Sequence, residues 1–445
     1  MRLPRTWVLG WLAIQLLRSS PVEALDVSGA ALVNSQVREG QRLDSTEAPT
    51  NAYGAVVGTN LHHGIGAETY FRLARDWSRA DGATDFYLGY ARLPIRGFEL
   101  SLGRQTLDEM PGALYVVDAG RLRFDRGGPV AFSLFGGQPR YFEPLQGSEI
   151  VSQDEQIFGG SARLRSASLG QVVLSFAQLQ REQRRLNQLA SATWAQALRR
   201  WRSQPQAYAL VTYDTAERSV QQFTAGGGFL PHPRLFARIE GSYYRPQDRS
   251  AAALPGLDRF VDPLFSLFSS SSFKQARCGI QYQWRPGVWW SLDYGFQTFE
   301  DATGQSTEGN RGSVGVVWLP EGDGLEVVRS EFAVTDSRGG NLYALRAYYE
   351  NRVYQRILFR TKIEVARFEK ITNEDDIVVS GRIGVGYELA RGLLMELNFE
   401  GNRSPRFDQE FRLGLFLTYN VHYHNGWLPP TQERPLLRYP GGWAG

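Results

Sequence analysis

Lysine is nearly missing from this chain. Of its 49 basic residues, only Lys274, Lys362 and Lys370 are not arginine. Cysteine is represented once, at Cys278, which excludes an internal disulfide. The formal charge is +3, and arginine alternates with acidic residues without forming a long basic block, so binding to nucleic acid by counterion release is not expected. After the N-terminus no segment offers some 20 consecutive apolar residues, which excludes a membrane-spanning helix in that part of the chain. Histidines number five. His62 and His63 fall in an expected turn, and His422 and His424 share one strand face with no cysteine nearby, so no metal or cofactor is assigned. Gly-x-Ser-x-Gly is absent, and neither Gly226-Gly227-Gly228 nor Gly309-Asn310-Arg311-Gly312 stands between a strand and a helix. No catalytic residue is assigned, and the chain does not read as an enzyme.

What is present begins with an export signal. Arg2 and Arg5 precede a mostly apolar run from Trp7 to Leu17, and Val22-Glu23-Ala24 forms a small-x-small cleavage site. The run is too short to span a bilayer, and Arg18 closes it. Residues 1–24 are therefore expected to be a cleaved signal peptide, with the mature protein starting near Leu25.

The main signal beyond it is a period of two. Arg356, Arg360, Lys362 and Glu364 occupy one face of their segment, and Ile357, Phe359, Ile363 and Val365 the other. A helix would scatter both sets, whereas a strand separates them. Leu393, Met395, Leu397 and Phe399 alternate with Glu396, Asn398 and Glu400 in the same way. Further back, Leu235, Ala237 and Ile239 oppose Arg238 and Glu240, and Val328 and Phe332 oppose Arg329 and Glu331. The first half is less regular and rich in glycine, which marks bends or bulges when it lies inside strands.

A soluble sandwich also alternates. Two features favour a membrane barrel instead. Charges of both signs sit at mid-strand on the polar faces, and many strands are longer than the 5 or 6 residues usual in globular sheets. In hydrocarbon every backbone donor and acceptor needs a partner, so such a sheet must close on itself. Tyrosine and tryptophan near strand ends, such as Tyr243, Trp284, Trp318 and Tyr387, fit interfacial belts. The expected fold is all-β: a transmembrane antiparallel β-barrel over residues 25–423, with about 18 strands (16–20) and an even number because both termini share one side. Three insertions interrupt it. Residues 138–156 read as a polar loop. Residues 180–203 read as a short, basic, roughly amphipathic helix suited to anionic headgroups or a docking partner. Residues 246–272 read as a long loop that could enter the lumen. Residues 424–445 read as a proline-rich C-terminal tail.

Signal, alternating strands and the rhythm of short turns and long loops resemble Gram-negative outer membrane β-barrels of the porin and polysaccharide-export type. The resemblance covers nearly the whole mature chain and is one of pattern. It implies residence in the cell outer membrane, with membrane lipid and lipopolysaccharide as surroundings and periplasmic export or envelope-complex proteins as candidate partners. Many such barrels end on a strand closed by an aromatic residue, whereas here about twenty residues follow the last strand. The polar faces supply the expected lumen lining: Arg238, Glu240, Arg277, Arg329, Glu331, Arg356, Arg360, Lys362, Glu364, Arg382, Glu396, Glu400 and Arg412. Because the signs nearly balance, most of these are expected to pair across neighbouring strands, and unpaired arginines at a constriction would favour anions. Two functions compete. One is a channel or export conduit for hydrophilic solutes, with polysaccharide as one candidate cargo. The other is a structural barrel of a secretion or electron-transfer complex, its lumen filled by a partner or loop. A barrel-borne hydrolase ranks below both.

Overall fold

The computed structural model describes residues 26–424 except 40–45, 60–64, 79–80, 108–114, 143–148, 151–153, 182–183, 199–202, 246–271, 301–305, 321–325, 338–339, 354–355, 370–374 and 405–406. Every regular element among the described residues is a strand. In chain order the first twelve are β1 (Asp26–Glu39), β2 (Thr46–Glu47), β3 (Pro49–Thr59), β4 (Gly66–Asp76), β5 (Asp81–Ile95), β6 (Phe98–Leu107), β7 (Tyr115–Phe124), β8 (Val130–Phe142), β9 (Glu149–Ile150), β10 (Glu155–Ser166), β11 (Gly170–Arg181) and β12 (Arg184–Ala197). The second twelve are β13 (Gln206–Asp214), β14 (Ser219–His232), β15 (Leu235–Tyr244), β16 (Ser272–Arg285), β17 (Val288–Glu300), β18 (Ser306–Trp318), β19 (Glu326–Ser337), β20 (Gly340–Val353), β21 (Ile357–Glu369), β22 (Asp375–Ala390), β23 (Leu393–Ser404) and β24 (Phe407–His424).

The two-residue strands β2 and β9 pair only with the ends of β1 and β8. The other 22 form one wall. Each pairs antiparallel with the next, and β24 returns to β1 through a ladder from Asp26↔His424 to Arg38↔Arg412, so no wall strand is left with an open edge. An antiparallel ring needs an even number of strands, and 22 satisfies that. The expectation of about 18 strands is thus corrected upward. The shortfall came from the first half, where glycine-bearing strands alternate weakly. Residues 184–197, expected within a basic helix, are the clearest case: they form β12, paired along both edges with β11 and β13. Residues 138–142, expected in a loop, belong to β8. The segments 1–24 and 425–445, and all but Ser272 of the 246–272 loop, lie outside the described residues.

One end of the wall carries tight connections. Pro286-Gly287 joins β16 to β17, and Arg391-Gly392 joins β22 to β23. Gly287 and Gly392 have φ of 76° and 79°, the left-handed region that two-residue hairpin turns demand and glycine supplies without strain. Asp26 and His424 lie at this same end. The longest connections, between β8 and β10 and between β15 and β16, lie at the other. Short periplasmic turns and longer extracellular loops are the rule for outer-membrane barrels, which orients the wall.

Crowding tells which face is inside. Side chains diverge on a convex surface and converge on a concave one. Along β23, Leu397 is 53% exposed, while its neighbours Glu396 and Asn398 are 5% and 3% exposed. The apolar series is therefore the outer one. Ile239, Ile280, Leu292, Phe332, Ile363 and Ile383 belong to it, on six other strands. With strands about 4.8 Å apart and tilted ~40°, the backbone cylinder is roughly 40 Å across, wider than side chains from the wall can fill.

Candidate functional site: the inner wall

The inner face of β15 to β24 is a lattice of ion pairs. On β15 and β16, Glu240 meets Arg277 at 2.9 Å. Arg346 on β20 reaches Glu364 on β21 at 2.9 Å and Glu331 on β19 at 3.9 Å, and Lys362 joins Glu364 at 3.2 Å. Arg360 lies 2.8 Å from Glu350 and 2.7 Å from Glu396. Arg382 donates to Asn398 at 3.0 Å and approaches Glu396 at 3.8 Å. Arg412 is held by Glu410 at 2.8 Å and Glu400 at 3.5 Å. Pairs whose cationic side chains stay 27–44% exposed contribute about 0–1 kcal/mol each. Their larger effect is to fix long side chains against the wall.

Some of these contacts skip a strand. Arg360 is on β21 and Glu396 on β23; between them on β22 lies Gly384, in register with Arg360 and with Asn398, two residues along β23 from Glu396. Arg238 on β15 pairs with Asp293 on β17 across Gly279 of β16. Tyr208 on β13 donates to Glu240 on β15 across Gly226 of β14. At each glycine a Cβ would collide with the bridge it lies under: 2.8 Å from Glu396 Oε1 at Gly384, 2.8 Å from Arg238 Nε at Gly279 and 2.7 Å from Tyr208 Oη at Gly226. Curvature brings the alternate strands together on the concave side, and a glycine leaves the gap through which they meet.

Of the thirteen expected lining residues, twelve stand on this face: all but Arg356. That residue occupies the turn between β20 and β21, exposed, where its carbonyl accepts the Glu388 N–H at 2.8 Å. The two-residue alternation ran on into the turn, so period alone could not exclude it. Arg329 faces inward opposite Tyr348.

Sequence reasoning missed the inner face of β3 to β7. There Tyr53, Tyr70 and Tyr87 stack, with centroids 6.4 and 5.3 Å apart. Arg72 and Asp85, 8% and 4% exposed, form a buried pair at 2.7 Å. A bulge shifts the β4–β5 register between Tyr70 and Phe71 and breaks the alternation that would have marked these residues. Arg92 and Arg121 flank Ser101 in register on the same face. Ser101 is 1% exposed, and neither its Oγ nor the Nε of Arg92 has a hydrogen-bond partner. Among the described residues, Arg92, Arg311 and Arg329 have no acidic partner.

At the turn end, Asp125 accepts the Gly127 N–H at 3.0 Å and bonds Arg163 and Arg123. The backbone hydrogen bond from Gly127 does most to hold its carboxyl below the usual range; desolvation, next in size, opposes it, and Arg163 and Arg123 add to the lowering.

A closed wall, apolar outside and charged inside, with its longer loops at one end, defines a class: the transmembrane β-barrel. No protein-family model matches the chain, and no curated protein does. Solved structures similar to it include the outer membrane protein OpdK of Pseudomonas aeruginosa, at 10% identity and a TM-score of 0.45, covering 90% of this chain and 99% of that one. OccK2 (OpdF) of Pseudomonas aeruginosa in complex with glucuronate is similar at 11% identity and a TM-score of 0.46, covering 89% and 98%. Acinetobacter baumannii OccAB4 is similar at 8% identity and a TM-score of 0.46, covering 91% and 100%. The likeness is loose, and the class rests on the geometry of the barrel itself.

Proposed function

We propose that this protein is a channel for hydrophilic solutes with a weak preference for anions. The observation that carries this reading is the inner wall: its charges are mostly neutralised in pairs, while Arg92, Arg311 and Arg329 keep no acidic partner among the described residues. A paired wall passes water and small polar solutes without trapping them, and a few uncompensated guanidiniums tilt permeation toward negative charge. Acidic sugar chains are one candidate cargo. Planar-bilayer recording tests the reading. The expected result is steady conductance with a reversal potential that favours chloride over potassium, shifted toward zero by combining Arg92→Ala and Arg329→Ala. A folded barrel that stays silent would overturn it.

Silence would favour a second reading, a barrel whose lumen is filled, because barrels of 22 strands characteristically hold a plug whereas narrower porins are open. Residues 1–24 are read as a cleaved signal; mass spectrometry of the mature protein should then find Leu25 at its N-terminus.

A further inference from the structure

Tyrosines on the inner wall are held in two ways. Tyr53, Tyr70 and Tyr87 stack on one another, so their ring faces are taken up within the row. Tyr208 on β13 has no aromatic partner among the described residues. It crosses from β13 to Glu240 on β15, so its long axis lies along the wall rather than standing off it. A Cβ on Gly226 beneath it would stand 2.8 Å from its Cζ, and Tyr208 is 37% exposed. Phe236 on β15 approaches from the other side and lies over Gly228, where a Cβ would stand 2.6 Å from its Cζ. Gly226 and Gly228 both face inward, two residues or about 7 Å apart along β14. The triple glycine of β14 thus lets two aromatic rings lie low against the wall, close to each other.

The two rings border a cavity of about 210 Å³ near the turn between β14 and β15. Its other side chains are polar: Gln206, Arg238, Glu240 and Arg277. Glu240 is committed to Tyr208 and Arg277, and Arg238 to Asp293. Each guanidinium is therefore neutralised, yet the side chains of Arg238 and Arg277 stay 43% and 44% exposed, with N–H donors to spare. Gln206 is exposed, and its amide makes no hydrogen bond among the described residues. Such a cavity suits a ligand with an apolar face, a hydroxylated edge and no net charge.

We propose that this cavity is a subsite for one neutral pyranose ring of the glucose type. Equatorial hydroxyls leave the faces of such a ring to C–H bonds, whose slight positive charge settles on the negative face of an aromatic ring. Gln206 offers both a donor and an acceptor to the hydroxyl edge, and the guanidiniums offer donors to hydroxyl oxygens. The cavity is smaller than the roughly 300–1,000 Å³ of sites for drug-sized ligands, which fits a single ring rather than a chain. A carboxylate on the ligand gains little here, because each arginine already has its own. Contacts of this kind are weak enough to release the ligand, as passage requires. The proposal rests on the reading of an open lumen and adds a selectivity separate from the anion bias.

The test is saturation-transfer difference NMR on the full-length barrel in lauryldimethylamine oxide, a detergent without a sugar headgroup. The probe is methyl β-D-glucopyranoside, and the control is D-mannitol, a polyol with no ring. The glucoside should be saturated at its ring C–H protons and mannitol should not. Tyr208→Ala should weaken binding about fivefold. Tyr208→Phe, which keeps the ring and drops the bond to Glu240, should recover most of that loss, which a merely structural role for the Tyr208–Glu240 bond would not allow. Gln206→Ala, the truncation of an exposed side chain with no partner in the fold, should weaken binding about threefold and decides the matter if Tyr208→Ala fails to fold. Absence of saturation in the glucoside, equal saturation of mannitol, or Tyr208→Phe binding no better than Tyr208→Ala would overturn the proposal. Conductance of the same preparation separates the two failures: a barrel that conducts with the expected chloride preference but does not bind the glucoside loses the subsite alone, and a silent barrel that does not bind it loses both.

Discussion

At the scale of single residues, space on the concave wall matters as much as charge. Gly279 is silent in the alternation, yet it lies beneath the bridge between Arg238 and Asp293. Replacing Gly279 or Gly384 with valine forces the bridging side chains apart. Overpacking of this kind costs about 1–3 kcal/mol, and each variant should unfold earlier than the wild type in a denaturant titration, while valine at Gly381, where a Cβ meets nothing within 4 Å, should not. Asp125 shows the other side of residue-scale design. Its carboxyl titrates below the ordinary range because the ionised form is hydrogen-bonded in the folded turn. A depressed carboxyl stabilises the fold above its unfolded pKa of about 4 and loses that contribution as pH falls through the folded value. The protection factor of the Gly127 amide should therefore fall on acidification into that range, and Asp125→Asn should abolish that fall.

At the scale of elements, β12 carries a lesson about legibility. Its composition of leucine, alanine, glutamine and arginine favours a helix, and its two faces differ little. Leu189, Ser191 and Thr193 point one way, and Ala190, Ala192 and Trp194 the other. Ladders to β11 and β13 override the local preference, and nothing within the segment announces them. Cysteine substitutions at 189 to 194 should label with a period of two in the reconstituted barrel; a period near 3.6 would restore the helix. The neighbouring strands hide in another way. Leu107, Val117, Phe135 and Ile157 are buried apolar residues on the inner face, so both faces of these strands are apolar along part of their length and the contrast fades. From β15 onward the inner face is charged and the outer face apolar. There the alternation, the short turns and the facing of twelve charged residues could be read directly from sequence. What could not be read was which charges meet across a skipped strand, because the register of three strands decides that, and the bulge beside Tyr70 erases the phase of the tyrosine stack.

At the scale of the whole molecule, the number of strands sets the question of function. A ring of 22 strands encloses more room than its own side chains occupy. The wall pairs its charges rather than presenting one sign, which suits passage better than tight capture, and Arg92, Arg311 and Arg329 are the source of the small bias proposed. Everything at this scale depends on one face of the sheet meeting lipid and the other meeting an aqueous interior. The most direct measurement places single cysteines on the two faces of β19, at Arg329 and at Phe332, in a chain whose native Cys278 has been changed to serine. In sealed proteoliposomes a charged, membrane-impermeant thiol reagent should label the cysteine at 329 rapidly and leave the one at 332 unreacted until the protein is unfolded. Rapid labelling at 332 with protection at 329, or equal labelling of both, would contradict the barrel as described.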